Sequence, residues 1–209
     1  MGDFKITKEL EEAFKAQNIE YYPLREATAE EFFDAIGKAK AVNEYGPFVT
    51  QHSVEDYKKM AHLFLTLDMT AGVAITEENN IVSLFNGGQK RGMLKTLLPI
   101  ALDYGGRMLD NYSSSKLSSM YELYGFNPVS KVRFNSKFAP ADWNYLRDGM
   151  PDIVFWIHNG DSAADVVINF GRYQVPWDSV QEFATYEEAE DFRNSMIAEI
   201  DALEQENSL

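Results

Sequence analysis

Three short apolar runs follow one another closely: Leu63-Phe64-Leu65-Thr66-Leu67, Ala71-Gly72-Val73-Ala74-Ile75-Thr76 and Ile81-Val82-Ser83-Leu84-Phe85. Each has the length of a strand, and the spacers are short, the second being the polar turn Glu77-Glu78-Asn79-Asn80. Parallel neighbours need a crossover of a dozen residues or more, so these runs predict an antiparallel meander. The third run leads directly into Asn86-Gly87-Gly88-Gln89-Lys90-Arg91-Gly92-Met93-Leu94, and a helical pattern follows from Met93 to Tyr104. A glycine-rich turn with two cations therefore joins a strand to a helix. A helix start offers unpaired N–H groups and the positive end of the macrodipole, and glycine lets a ligand approach the backbone. That combination suits a phosphate or another anion. The same residues also suit an ordinary strand-to-helix turn that needs glycine for its geometry, and the residues of the turn leave both readings open.

The rest of the chain can be laid out around this block. Upstream, residues 7–17 predict a polar helix with Thr7 as N-cap and Leu10 and Phe14 on one face. The run Ile19 to Arg25 predicts a strand, and Pro23 places it at an edge. Thr28 with Glu31 reads as a capping box for a helix to about Asn43, and Ser53 opens a short helix from Val54 to about Ala61. Downstream, Pro99 should kink the helix after the glycine-rich turn, and Gly105-Gly106 ends it. A strand from Arg107 to Tyr112 follows. Next comes a helix capped by Ser113-Ser114-Ser115, with Leu117, Met120, Tyr121 and Tyr124 on one stripe, closed by Gly125. Val129 to Phe134 predicts a strand, Phe138 to Gly149 a loop, and Asp152 to His158 a buried strand. Residues 159–184 show no clear period. Tyr186, Ala189, Phe192, Met196, Ile200 and Leu203 mark a C-terminal amphipathic helix. The expected architecture is α+β, or mixed α/β, with one mostly antiparallel twisted sheet flanked by helices. The expected division is a domain over residues 1–158 and an extension over 159–209, packed on that domain.

Composition narrows the function classes. The chain has no cysteine, which excludes disulfides, thiolate nucleophiles and zinc–thiolate sites. No apolar run is long enough to span a bilayer, and the first residues lack the apolar core of a signal peptide, so a cytoplasmic protein without a membrane partner is expected. A net charge of −14 argues against a general nucleic-acid binder. It suits an amine or another cationic substrate or a basic partner, with solubility as the simpler reason. Residues 180–209 hold nine acids and one base, Arg193, whereas Lys90, Arg91, Lys95 and Arg107 form a basic spot around the glycine-rich turn. His52, His62 and His158 show no metal-ligand spacing, so no metal site is expected. Asp68, Glu77, Glu78 and Asp110 are the carboxylates nearest the expected strands, and solvated turns explain most of them.

The element order and two motifs together resemble the GNAT superfamily of acyl-CoA-dependent N-acyltransferases. The family's signature, Gln/Arg-x-x-Gly-x-Gly/Ala between a central strand and a helix, is met by Gln89-Lys90-Arg91-Gly92-Met93-Leu94, with Leu94 where Gly or Ala is usual. A second family pattern, Asn-x-x-Ala-x-x-Leu-Tyr-x-x-x-Gly-Phe, is similar to Met120-Tyr121-Glu122-Leu123-Tyr124-Gly125-Phe126 at its Tyr and Gly-Phe end, while its Asn and Ala fall on Ser114 and Leu117. The resemblance covers roughly residues 18–158. The region from Phe134 to Trp156 also looks like GNAT-like proteins encoded by phages and prophages. The resemblance implies a GNAT-like fold and acetyl-CoA as cosubstrate. It implies that the amides of Gln89 through Leu94, with Met93 among them, hold the pyrophosphate, helped by Lys90 and Arg91. It implies that the pantetheine arm lies along Leu84, Phe85 and Asn86, on a strand splayed from its neighbour. Tyr121 would then be the general acid toward the departing thiolate, and an amine acceptor would attack the thioester directly. Core packing explains Tyr121 equally well. The departures at Leu94 and Ser114 keep a second reading open, a GNAT-like binding protein without catalysis. Monomer and homodimer are both open.

Overall fold

A computed structural model describes residues 4–88, 90–113, 115–175, 177 and 180–206. The chain forms two compact units, Met1–Arg107 with Gly160–Phe170, and Met108–Asn159 with Gly171–Leu209. It is α+β, as expected, but the strands are in two four-stranded sheets rather than one.

The first sheet is the predicted meander with one strand added: β1 (Leu24–Glu26), β2 (His62–Thr66), β3 (Ala71–Ile75) and β4 (Ile81–Asn86), in that order and antiparallel throughout. β1 is shorter than its apolar run because pairing begins only after Pro23, which has no N–H to give to a ladder. One sheet face carries Leu63, Leu65, Ala74 and Phe85. It is covered by α2 (Ala29–Val42), through Phe32, Ile36 and Ala39, and by Tyr57 at the end of α3 (Val54–Tyr57). The helix α2 starts at the expected capping box. Thr28 Oγ1 accepts from the Glu31 amide, and the Glu31 carboxylate accepts from the Thr28 amide. The other face carries Phe64, whose ring meets Tyr104 at 4.6 Å just after α4 (Leu94–Asp103). The helix α1 (Lys8–Ala16), capped by Thr7, buries Leu10, Ala13 and Phe14. Burying a side chain the size of Leu10 or Phe14 contributes about 1.5–3 kcal/mol of transfer free energy.

The second sheet has the order β5-β7-β6-β8, from β5 (Met108–Tyr112), β6 (Phe126–Val132), β7 (Ile153–His158) and β8 (Gln181–Phe183). β7 is central and antiparallel to both neighbours, and β8 pairs parallel with β6. β6 begins before its expected start, at Phe126, and its register shifts between Pro128 and Ser130, where proline cannot donate to the ladder. The helix α5 (Ser115–Leu123) precedes β6, and the excursion between β6 and β7 holds the short α6 (Tyr145–Asp148).

The segment after residue 158 is not one extension. α7 (Ala163–Ile168), capped by Ser162, packs on α1 and α4 of the first unit. β8 and α8 (Tyr186–Glu206) belong to the second, where α8 lies on β6 and β7. Its early turns bury Ala189 and Arg193, whereas Leu203 is exposed. Among the described residues no helix is long and apolar enough to cross a membrane.

Candidate functional site

The glycine-rich turn grows out of a distorted β4. Gly72 pairs with Phe85 but Ala74 with Val82, so Ser83 and Leu84 share a single opposite residue. This is a β-bulge in β4, and Ser83 takes a φ of 50° there. Hydrogen bonds hold the strained residue. Ser83 Oγ donates to the Thr50 carbonyl at 3.0 Å and accepts from Tyr57 Oη at 3.0 Å, and Tyr57 Oη accepts the His52 amide at 3.2 Å. Phe85 points into the first core, edge-on to Phe32 at 5.6 Å, whereas Leu84 is half-buried. β4 has no strand partner on its second edge among the described residues. Alternate residues therefore turn backbone N–H and C=O groups away from β3.

The turn is tied by its own polar groups. The Asn86 side chain donates to the Lys90 carbonyl at 2.8 Å and accepts the Gly88 amide at 3.1 Å, and its main-chain carbonyl accepts from Asn43 Nδ2 at 3.1 Å. Gly87 sits so close to α2 that a Cβ would stand 2.6 Å from Ala39 Cα. Gly92 differs: its φ is +83° and a Cβ there would meet nothing within 4 Å. Among the described residues, the N–H groups of Lys90, Arg91, Gly92, Met93 and Leu94 have no hydrogen-bond acceptor. Lys90 and Arg91 are exposed, and Lys90 Nζ lies 3.9 Å from the Tyr22 ring centroid. Met93 is buried beneath the turn and Leu94 is half-buried. Gln89 lies outside the described residues, as does Ser114.

Asn86, Lys90 and Met93 line a cleft of about 170 Å³ together with Tyr22, Asp68 and Thr70. Asp68 is a turn carboxylate: it accepts from Thr66 Oγ1 at 2.6 Å and Thr70 Oγ1 at 2.8 Å. The Thr66 hydroxyl, the Thr70 donors and the nearby Lys90 charge hold its pKa below the usual range, which makes it a poor base. Glu77 and Glu78 are exposed in the turn before β4.

Tyr121 lies in the second unit, on α5, only 6% exposed. Its ring meets Phe126 and Trp156, both at 6.1 Å between centroids. Burial, and then the charge of Asp110, push its pKa up, so the phenol is neutral. Asp110, on β5, is itself pushed up by burial, against the opposing pull of Arg193 and a hydrogen bond from Tyr186. Trp156 Nε1 donates to Asn111 Oδ1 at 2.7 Å. His158 Nε2 lies 3.1 Å from the Tyr124 carbonyl, the contact of a structural histidine.

The expected site residues therefore divide by unit. Leu84, Phe85, Asn86, Lys90, Arg91, Gly92, Met93 and Leu94 are contiguous in the first, and Tyr121 is in the second. Two buried polar residues are not marked by the sequence pattern. Ser118 is buried on the Tyr121 face of α5, and Arg193 is buried on the inner face of α8. No periodic signal points to either one, because a serine and an arginine break an apolar stripe instead of extending it. Comparison of the chain with protein-family models, with curated proteins and with solved structures finds no match in any of the three.

Proposed function

We propose that the chain is an acyl-CoA-dependent N-acyltransferase, transferring an acetyl group from acetyl-CoA to a primary amine in its simplest form. The observation that carries this reading is the turn before α4. Five consecutive amides without an acceptor among the described residues sit beside two exposed cations and an open Gly92. Such a nest fits a pyrophosphate, with Lys90 and Arg91 able to add charge-assisted hydrogen bonds. The edge of β4 without a strand partner among the described residues fits the amides of a pantetheine arm in the manner of an added strand. Substrate amine attacks the thioester carbonyl, the carbon–sulfur bond breaks, and sulfur leaves with the electron pair. The departing sulfur takes up a proton, and giving it is the role that the resemblance assigns to Tyr121. The proton that the amine loses balances the exchange.

Thermal unfolding with acetyl-CoA or CoA tests the reading. A ligand that binds only the native state raises Tm according to RT ln(1 + [L]/Kd). The expected result is a rise that Arg91→Glu reduces. An unchanged Tm at millimolar CoA would remove the basis for the proposal. A second reading, a GNAT-like binding protein without cofactor use, is favoured by Leu94 in the turn and by large apolar side chains exposed in the second unit. Phe138 is 80% and Met150 70% exposed there, and Leu146 is wholly exposed. That reading expects partner capture to survive Gln89→Ala and Gly92→Trp.

A further inference from the structure

The cleft of about 170 Å³ beside the glycine-rich turn belongs wholly to the first unit. Tyr22 brings an aromatic face to it, Asp68 a carboxylate, and Pro23, Leu67 and Met93 apolar surface. Lys90 completes the lining, and its ammonium stands 3.9 Å from the centroid of the Tyr22 ring. That is well within the range at which the negative face of a ring attracts a cation. Among the described residues Lys90 Nζ makes no hydrogen bond and no ion pair. The ring, and the charge of Asp68 beyond ion-pair distance, stand in their place. Asp68 is only half used. Thr66 Oγ1, Thr70 Oγ1 and the Thr70 amide all donate to its Oδ1, and Oδ2 receives no donor among the described residues. Those donors keep the carboxylate ionised. An aromatic face attracts a cation, an uncommitted carboxylate oxygen accepts an N–H, and apolar walls cover an alkyl body. The size of the cleft suits a small alkylammonium ion or the tip of a longer one.

We infer that this cleft is a binding site for a small primary alkylammonium ion, and that the Lys90 side chain, itself a butylammonium, is the occupant that such a ligand displaces. Lys90 also links the cleft to the turn. When it pairs with a phosphate on the amides of residues 90–94, it leaves the Tyr22 ring and the cleft opens. An anion on the turn and an ammonium ion in the cleft therefore favour each other's binding, by the same factor in both directions. This coupling rests on the anion role read for the turn above, whereas the ammonium site rests on the cleft alone.

The test titrates n-butylammonium into the full-length chain at about pH 7, where the amine is fully charged, and follows the ligand's own NMR signals. Lys90→Ala is expected to bind it roughly tenfold more tightly than wild type, because the competing cation–π contact is gone. n-Butanol, with the same alkyl body and no charge, should not bind. Tyr22→Leu in the Lys90→Ala background should lose binding. Lys95→Ala removes a like charge from the first turn of α4 and should match wild type. Lys90 and Lys95 are exposed and Tyr22 is half-buried, so these variants should keep the wild-type Tm. Equal affinity of wild type and Lys90→Ala overturns the inference. So do equal tightening by Lys95→Ala and binding retained without the Tyr22 ring. Inorganic pyrophosphate should tighten n-butylammonium in wild type but not in Lys90→Ala, and an unchanged wild-type affinity overturns the coupling. CoA is scored separately by Tm. If CoA leaves Tm unmoved while Lys90→Ala gains n-butylammonium, the acyltransferase reading falls and the ammonium site stands.

Discussion

At the scale of single residues, two glycines of one turn have different reasons to be glycine. Gly87 is excluded from carrying a side chain by contact, since a Cβ would lie 2.6 Å from both Ala39 Cα and Ala39 Cβ. Gly92 has open space and is constrained only by its φ of +83°. Urea denaturation should therefore separate Gly87→Ala, which costs about 1–3 kcal/mol as overpacking, from Gly92→Ala, which costs about 1 kcal/mol as backbone strain. Loss of CoA affinity on the proposed reading should follow the opposite order, because Gly92 faces the open side. Glu31 gives a pH signature. Arg25, at 2.8 Å, and then the Thr28 amide hold its carboxyl below the usual range. A depressed carboxylate stabilises the fold fully above the unfolded-state pKa, and that stability is lost as pH falls through the folded-state value. Glu31→Gln should thus lower Tm above about pH 5 and match wild type below about pH 3. The loss should stay under about 1 kcal/mol, because the pair is partly solvated.

At the scale of elements, the helix α8 depends on a charge where its stripe was expected to be apolar. Arg193 is 1% exposed, lies 5.5 Å from the Phe155 ring centroid, and donates to Asn194 Oδ1 at 3.0 Å and to Glu190 at 3.4 Å. It also acts on the half-buried Asp110 of β5. Removing Arg193 leaves Asp110 without its opposing charge and the Phe155 ring without the guanidinium it faces. Arg193→Met should cost about 3–5 kcal/mol by chemical denaturation, and adding Asp110→Asn should recover part of that loss. Two independent single costs that simply add would show that Arg193 and Asp110 are not coupled. The bulge in β4 is a similar case of an element shaped by distant residues. Ser83 stands in an apolar run that reads as a plain strand. The hydroxyls of Ser83 and Tyr57 and the carbonyl of Thr50 hold its positive φ.

At the scale of the whole molecule, each unit takes its last elements from beyond residue 158. The first takes α7, on α1 and α4, and the second takes β8 and α8, on β6 and β7. A fragment ending at His158 would expose the face of the second sheet that α8 covers and the sides of α1 and α4 that α7 covers. Such a fragment should lack a cooperative thermal transition and should aggregate, whereas a separable extension would leave the transition of residues 1–158 unchanged. Far-UV circular dichroism during heating distinguishes the two.

Local chemistry makes much of this molecule legible in the sequence. Thr7, Thr28 and Ser53 announce three helix starts, because a cap is set by neighbours within four residues. The meander follows from spacers that permit only antiparallel pairing, and the turn at residues 86–94 follows from glycine, cations and a helix start lying together in the chain. Tertiary structure alone decided the rest. The split into two sheets depends on β5 pairing with β7, whose residues are far away in sequence. The division of residues 159–209 between two units depends on which apolar faces were still uncovered. The burial of Arg193 and Ser118 depends on neighbours that no periodic pattern names. Helix caps and turns are short-range, and so they are written locally. Strand partners and buried charges are chosen by packing over the whole chain.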